Sequence, residues 1–190
     1  MNILVACEYS GRVRDAFIAK GHDAMSCDIL PTDVPGPHYQ GDVMDVLEDG
    51  WDMMIAFPPC TYICTGGQAN ITLYPHLNWE INRDLGAAFF MKLVKAKIKR
   101  KAIENPVGVM STIYRKPDQI IKAYQFGHHY RKAYCLWLEY LPPLIPTKVV
   151  GGPHKKLDFW STKRKIDGKC QKSLMFQGIA KCNGGAVGLA

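Results

Sequence analysis

No uncharged apolar run in this chain approaches the length of a membrane span, and no signal-peptide pattern opens it: Met1-Asn2-Ile3-Leu4-Val5 reads as a first strand. Neither a membrane protein nor a secreted precursor is expected, and the sequence reads as cytoplasmic. The chain also lacks any Cys-x-x-Cys pair. Its seven cysteines are odd in number and irregularly spaced, which fits reduced thiols better than a disulfide framework. His154, Cys170 and Cys182 have the right chemistry for zinc, but without paired cysteines no metal site is expected. Internal repeats and low-complexity tracts are missing as well. Carboxylates are in the minority, 17 against 24 lysines and arginines, leaving a net charge of +7.

That excess is uneven. Lys92, Lys95, Lys97, Lys99, Arg100 and Lys101 form one run, and Lys155, Lys156, Lys163, Arg164, Lys165, Lys169 and Lys172 dominate the tail. The plain reading is a solvated face and a solubilising tail. Because the tail also carries Phe159 and Trp160, it offers phosphate neutralisation together with a stacking surface, so nucleic acid is the natural partner. A length of 190 residues suffices for one domain with a sizeable core. Nothing in the sequence fixes an oligomeric state.

The first half alternates strand-like and helix-like segments. Residues 2–7 read as a buried strand. Residues 12–20 read as a helix with Val13, Phe17 and Ile18 on one face, stopping at Gly21. Residues 23–30 read as a second strand, 31–41 as a loop rich in proline and glycine, and 52–57 as a third strand. The longest helix is expected over 78–99, where Ile81, Leu85, Phe89 and Leu93 recur every fourth residue and Ala88 and Ala96 broaden the stripe. Short strands follow at 101–104 and 134–138. This alternation predicts an α/β fold: a doubly wound, mostly parallel sheet with helices on both faces. Residues 1–140 form the body of the expected domain. Residues 141–190 form a basic C-terminal segment of the same domain.

Several features fall at the carboxyl ends of successive predicted strands, the edge where open α/β sheets bind ligands. Cys7-Glu8-Tyr9-Ser10-Gly11 is a strand running into a small-residue turn, which would let a ligand approach the backbone and a helix N-terminus. Asp28 ends the second strand, where nucleotide-binding sheets place a ribose-binding acid. Gly41-Asp42-Val43 sets a carboxylate in a tight turn; either aspartate can equally be a turn or cap residue. Phe57-Pro58-Pro59-Cys60 closes an apolar strand with two prolines that fix the backbone and remove two amide donors just before a thiol. Glu104-Asn105-Pro106 brings an acid and an amide to the end of a further strand. Singly, each has a bland reading: a buried cysteine, a loop carboxylate, a plain turn.

In their order the residues resemble the DNA (cytosine-5) methyltransferases, and more closely the short versions encoded by bacteriophages and prophages. Tyr9-Ser10-Gly11 resembles the start of that family's first motif, Asp28 its ribose acid, and Gly41-Asp42-Val43 its adenine contact. Pro58-Pro59-Cys60 resembles the nucleophile motif and Glu104-Asn105-Pro106 the Glu-Asn-hydrophobic motif. Lys116-Pro117-Asp118-Gln119, Phe126-Gly127-His128, Cys135-Leu136-Trp137-Leu138 and Phe176-Gln177-Gly178-Ile179-Ala180 extend the resemblance over nearly the whole chain. It implies a Rossmann-like fold, with S-adenosylmethionine held by Glu8, Tyr9, Ser10, Gly11, Asp28, Asp42 and Phe57. It implies DNA as substrate, Cys60 as nucleophile toward cytosine C6, and Glu104 as the acid at N3. Pro59, Asn105, Arg115 and Lys132 would contact the substrate, with Arg131 a further candidate.

The sequence departs from that pattern in three places. Arg12 and Val13 stand where the first motif has further glycines, the paired Gln-Arg-x-Arg motif is not evident, and no room is left for a large target-recognition domain. Recognition would then fall to loops such as 66–78 and to residues after Leu141. Two alternatives follow: an enzyme acting on RNA or a free cytosine nucleotide, or a degenerate methyltransferase fold that binds without catalysis. An amino-methyltransferase fits less well, since Phe57 and Cys60 replace the polar and aromatic residues that flank Pro-Pro in those enzymes. Finally, residues 180–190 are glycine-rich and poor in helix propensity. Their codons, shifted by one nucleotide, can spell Ala-Met-Ala-Glu-Gln-Trp-Gly, so a frameshift that replaced a terminal helix is an expectation of this reading.

Overall fold

In the computed structural model, which describes residues 1–74, 76, 78–128 and 132–150, seven strands form one sheet. The strands are β1 (Asn2–Ala6), β2 (Asp23–Asp28), β3 (His38–Gln40), β4 (Met53–Ala56), β5 (Arg100–Asn105), β6 (Gln119–Lys122) and β7 (Ala133–Glu139), in the order β3-β2-β1-β4-β5-β7-β6. All neighbours pair in parallel except β7, which runs antiparallel to both β5 and β6. The chain switches direction across the sheet between β1 and β4, so a crevice opens at their carboxyl ends. This is the expected doubly wound α/β architecture.

The central strands are hydrophobic on both faces because helices cover both. Ile3, Val5, Met53 and Ile55 pack with Val13 and Phe17 of α1 (Arg12–Ile18). Leu4, Ala6, Met54 and Ala56 pack with Phe90 and Leu93 of α3 (Trp79–Lys95). Between β4 and α3 runs α2 (Thr65–Leu73), and α4 (Met110–Ile113) follows β5. Past β7, Leu144 is buried against Ile121, Tyr134 and Leu136. The Gln119 amide both donates to Leu144 O at 2.8 Å and accepts from its N–H at 2.7 Å.

Several expectations are corrected. Ile18 is exposed, and the buried polar residue of α1 is Arg14. On α3 the inward stripe is Ala87, Phe90, Leu93 and Val94, whereas Ile81 and Leu85 are 60% and 62% exposed. The loop expected over 31–41 contains β3, and the loop expected from residue 66 begins as α2. Lys101 does not belong to a solvated basic run. It is buried in β5, where its Nζ donates to Val94 O and, at 2.9 Å, to Ala96 O, closing the C-terminus of α3, and pairs with Glu139 at 3.0 Å. The resemblance at residues 176–180 and the glycine-rich terminus lie outside the described residues. Among those described, no helix is long and apolar enough to cross a membrane, and no group of three or more His, Cys, Asp or Glu side chains could hold a metal ion.

Candidate active site

The carboxyl edge carries two clusters, one on each side of the switch point. The first surrounds the ends of β1 and β2. Cys7 takes a left-handed conformation, φ 59°, which turns the chain sharply out of the strand. Burial pushes its thiol up to about 12, and Asp28, then Cys27 and Asp42, further oppose its ionisation. The neighbouring Cys27 rises to about 11 from burial, then Asp28, Asp42 and Asp45. Burial leads both shifts, and Asp28 and Asp42 contribute to each, so both carboxylates lie close enough to act on the two thiols. Both aspartates also do local work. Asp28 Oδ1 accepts from Leu30 N at 3.0 Å, and Asp42 Oδ1 accepts from Met44 N at 3.0 Å, capping a short 3₁₀ turn.

Glu8, the next residue, is buried. Its Oε1 accepts from Ser10 Oγ and, at 3.1 Å, from Arg12 N, so it satisfies the first turn of α1. Its Oε2 is buried without a hydrogen-bond partner among the described residues. Burial raises the Glu8 pKa against the lowering effect of the Ser10 and Arg12 bonds and of the Arg14 charge.

The Gly11 turn differs from its expected use. Gly11 has φ 69°, and a β-carbon on it would lie 2.5 Å from both Arg14 Nη2 and Val34 Cγ2. The room it leaves is filled by the protein itself. Arg14, fully buried, donates from Nη1 to Ser26 Oγ at 3.3 Å, from Nη2 to Val34 O at 3.3 Å and Pro35 O at 3.1 Å, and pairs with Asp15 at 2.8 Å. Asp33 N donates to Tyr9 O at 2.9 Å, so the 29–37 loop is fastened across the 9–11 turn. Where the sequence lacks glycines, the fold supplies a guanidinium. Nothing in the sequence marks Arg14, because a lone arginine in a short amphipathic helix looks like a surface residue.

The second cluster joins the ends of β4 and β5. Phe57 N still donates to Ala6 O at 2.9 Å, after which the prolines end the strand. Pro58 is buried, Pro59 exposed and Cys60 half-buried. Cys60 O accepts from Ile63 N and Cys64 N at 3.2 and 3.0 Å, so the thiol-bearing residue opens a tight helical turn leading into α2. Glu104 and Asn105 are buried at the end of β5. Asn105 Nδ2 donates to Pro58 O at 2.9 Å, which ties the acid–amide strand directly to the Pro-Pro-Cys segment. Glu104 also adds, after burial, to the upward shift of the Cys135 thiol on β7.

Of the other residues expected at a substrate, Lys132 precedes β7 on the same edge, with its Nζ 4.7 Å from the centre of the Tyr134 ring. Arg115 is not brought there. Its guanidinium is taken by Asp118 at 2.8 Å and by Leu138 O at 3.4 Å, and Leu138 stands opposite Ala102, two residues back from Glu104 along β5. The Asp118 bond holds the Arg115 pKa above its ordinary value, so the pair is a structural clasp on β7. Arg131 lies outside the described residues.

No family model matches the chain, and neither does any curated protein. Among solved structures, it is similar to a prophage-encoded protein from E. coli whose assignment as a DNA modification methyltransferase is itself provisional. The identity is 15%, the TM-score 0.49, and the match covers 79% of this chain and 52% of the other. The chain thus spans about half the length of that protein. A likeness of this degree assigns no role to any residue.

Proposed function

We propose that this chain is a cytoplasmic, S-adenosylmethionine-dependent DNA cytosine-5 methyltransferase with short or relaxed sequence specificity. One observation carries the reading: a thiol segment and an acid–amide segment are bonded to each other on one side of the switch point, and the carboxylates Glu8, Asp28 and Asp42 stand at the strand ends on the other. These carboxylates suit the cofactor. S-adenosylmethionine carries a sulfonium and an ammonium group; Glu8 has a buried carboxylate oxygen with no hydrogen-bond partner among the described residues, and Asp28 and Asp42 both act on the adjacent Cys7. Glu8, Tyr9, Ser10, Asp28, Asp42 and Phe57 are the residues that would hold it; Gly11 acts from behind, by admitting Arg14 and Val34.

When bound, the cofactor supplies the methyl group that C5 takes. The protein's task is to make C5 nucleophilic. Cys60, as thiolate, adds to C6, and the displaced π electrons reach C5 and N3. Glu104, buried at the end of β5, provides the proton that N3 holds during addition. Asn105 fixes the Pro58 carbonyl and so the approach to Cys60. Loss of the C5 proton to water re-forms the C5–C6 double bond and expels the Cys60 thiolate, and N3 returns its proton to Glu104. The base must leave the stack to expose C6, with Pro59 and Lys132 at the rim. Residues 141–190 belong with this domain in our reading; the packing of Leu144 supports this for the described residues 141–150. Bisulfite sequencing of DNA incubated with protein and cofactor tests the proposal. Conversion-resistant cytosines in a context of a few base pairs are expected; none on DNA, with methylation of RNA or free cytidine nucleotides instead, would overturn it.

A further inference from the structure

The segments carrying Cys60 and Glu104 approach more closely than the Asn105 bond alone requires. Thr65 donates twice to Val107 O, from N and from Oγ1, each at 2.9 Å, and Val109 N donates to Ile63 O at 2.9 Å. Cys64 and Gly108 face each other in an isolated antiparallel bridge. At the centre of this contact Gly108 has no ordinary tolerance for a side chain. A β-carbon there would lie 2.0 Å from Ile63 O and 2.7 Å from Cys64 Cα. Both obstacles are backbone, so no rotamer change relieves them. Gly108 is not among the glycines with positive φ. Its requirement is therefore proximity and not backbone conformation.

From this geometry we infer that residues 107–109 form a latch that sets the Cys60 turn against the end of β5, with Gly108 and Thr65 as positioning residues for the thiol. The latch begins three residues after Glu104 and grips the chain three to five residues after Cys60, so any slackening shifts one reacting group relative to the other. It rests on the proposed chemistry only for its consequence in catalysis; the mechanical part stands by itself.

The test uses the full chain with Gly108→Ala, Thr65→Val, which removes the hydroxyl donor, and Thr65→Ser, which keeps it. Three readouts are taken: hydrogen exchange at the Thr65 and Val109 amides, the rate and pH profile of Cys60 alkylation by iodoacetamide mapped by mass spectrometry, and adduct formation with DNA carrying 5-fluorocytosine. Gly108→Ala should lose protection at both amides, change the alkylation profile of Cys60, and slow adduct formation tenfold to on the order of a hundredfold. S-adenosylmethionine affinity should stay within about twofold, since Glu8, Asp28 and Asp42 lie across the switch point. Thr65→Val should slow adduct formation by a smaller factor and Thr65→Ser restore it. If Gly108→Ala does not fold, the Thr65 pair decides by the same readouts. Unchanged exchange and alkylation in the variants overturns the latch, whatever the enzyme's substrate proves to be. Absence of any adduct in the unmodified protein, with the exchange and alkylation changes present, sustains the latch and instead overturns the proposed chemistry.

Discussion

The cysteines occupy contrasting environments, and their chemistry should sort accordingly. Cys7 and Cys27 are held as neutral thiols by burial and by neighbouring carboxylates, up to about 12 and about 11. Their unfolded counterparts titrate near about 8.5. Each folded thiol therefore keeps its proton longer than the unfolded chain does. The stability this contributes is fully present below about pH 8.5 and is lost as pH rises toward the folded values. Chemical denaturation from about pH 7 to about pH 10.5 should show a decline that is shallower in a Cys7→Ala, Cys27→Ala double variant; parallel curves would deny the shifts. Cys60 was legible in the sequence because two prolines directly before it end an apolar strand at a fixed place and leave the thiol at the sheet edge. Arg14 and Gly108 were not, since their importance lies in atoms brought from distant segments: Val34 and Pro35 in one case, Ile63 and Cys64 in the other.

At the level of elements, the long helix was recognisable but its inward face was not. A four-residue recurrence through Ile81, Leu85, Phe89 and Leu93 looks like a stripe, yet a strict spacing of four drifts around a helix of about 3.6 residues per turn. The face that meets the sheet follows Ala87, Phe90, Leu93 and Val94. Phe90 also stacks edge-on to Trp137 of β7, ring centres 5.1 Å apart. Phe90→Ala should cost about 3–5 kcal/mol in urea unfolding, whereas Ile81→Gln and Leu85→Gln should each stay within about 0.5 kcal/mol. The opposite ranking would restore the stripe read from the sequence. Strands β1 and β4 announced themselves as continuous apolar runs, whereas β5 has only Ala102 and Ile103 as apolar residues. β3 is three residues inside a proline-rich loop, β6 has four, and α2 carries Gly66 and Gly67 in its first turn, so none gave a periodic signal.

At the scale of the molecule, topology separates charge from chemistry. Lys95, Lys97, Lys99 and Arg100 lie where α3 ends and β5 enters the sheet, whereas Cys60 and Asn105 lie where β4 and β5 leave it. That basic run cannot line the crevice. Phosphate contacts are expected instead from Lys132 and the lysines after residue 150. Replacing Lys95, Lys97 and Lys99 with glutamine should therefore leave the salt slope of DNA binding unchanged. Replacing Lys163, Arg164 and Lys165 should lower it by about one unit per lost contact; a fall in the first set would place DNA on the wrong edge. The central claim is that Cys60 attacks cytosine. It is tested most directly by incubating the protein with S-adenosylmethionine and DNA carrying 5-fluorocytosine, then mapping the covalent adduct by mass spectrometry. The account predicts an adduct on Cys60 that persists in Cys64→Ser and disappears in Cys60→Ala; an adduct on Cys64, or one that survives Cys60→Ala, would contradict it.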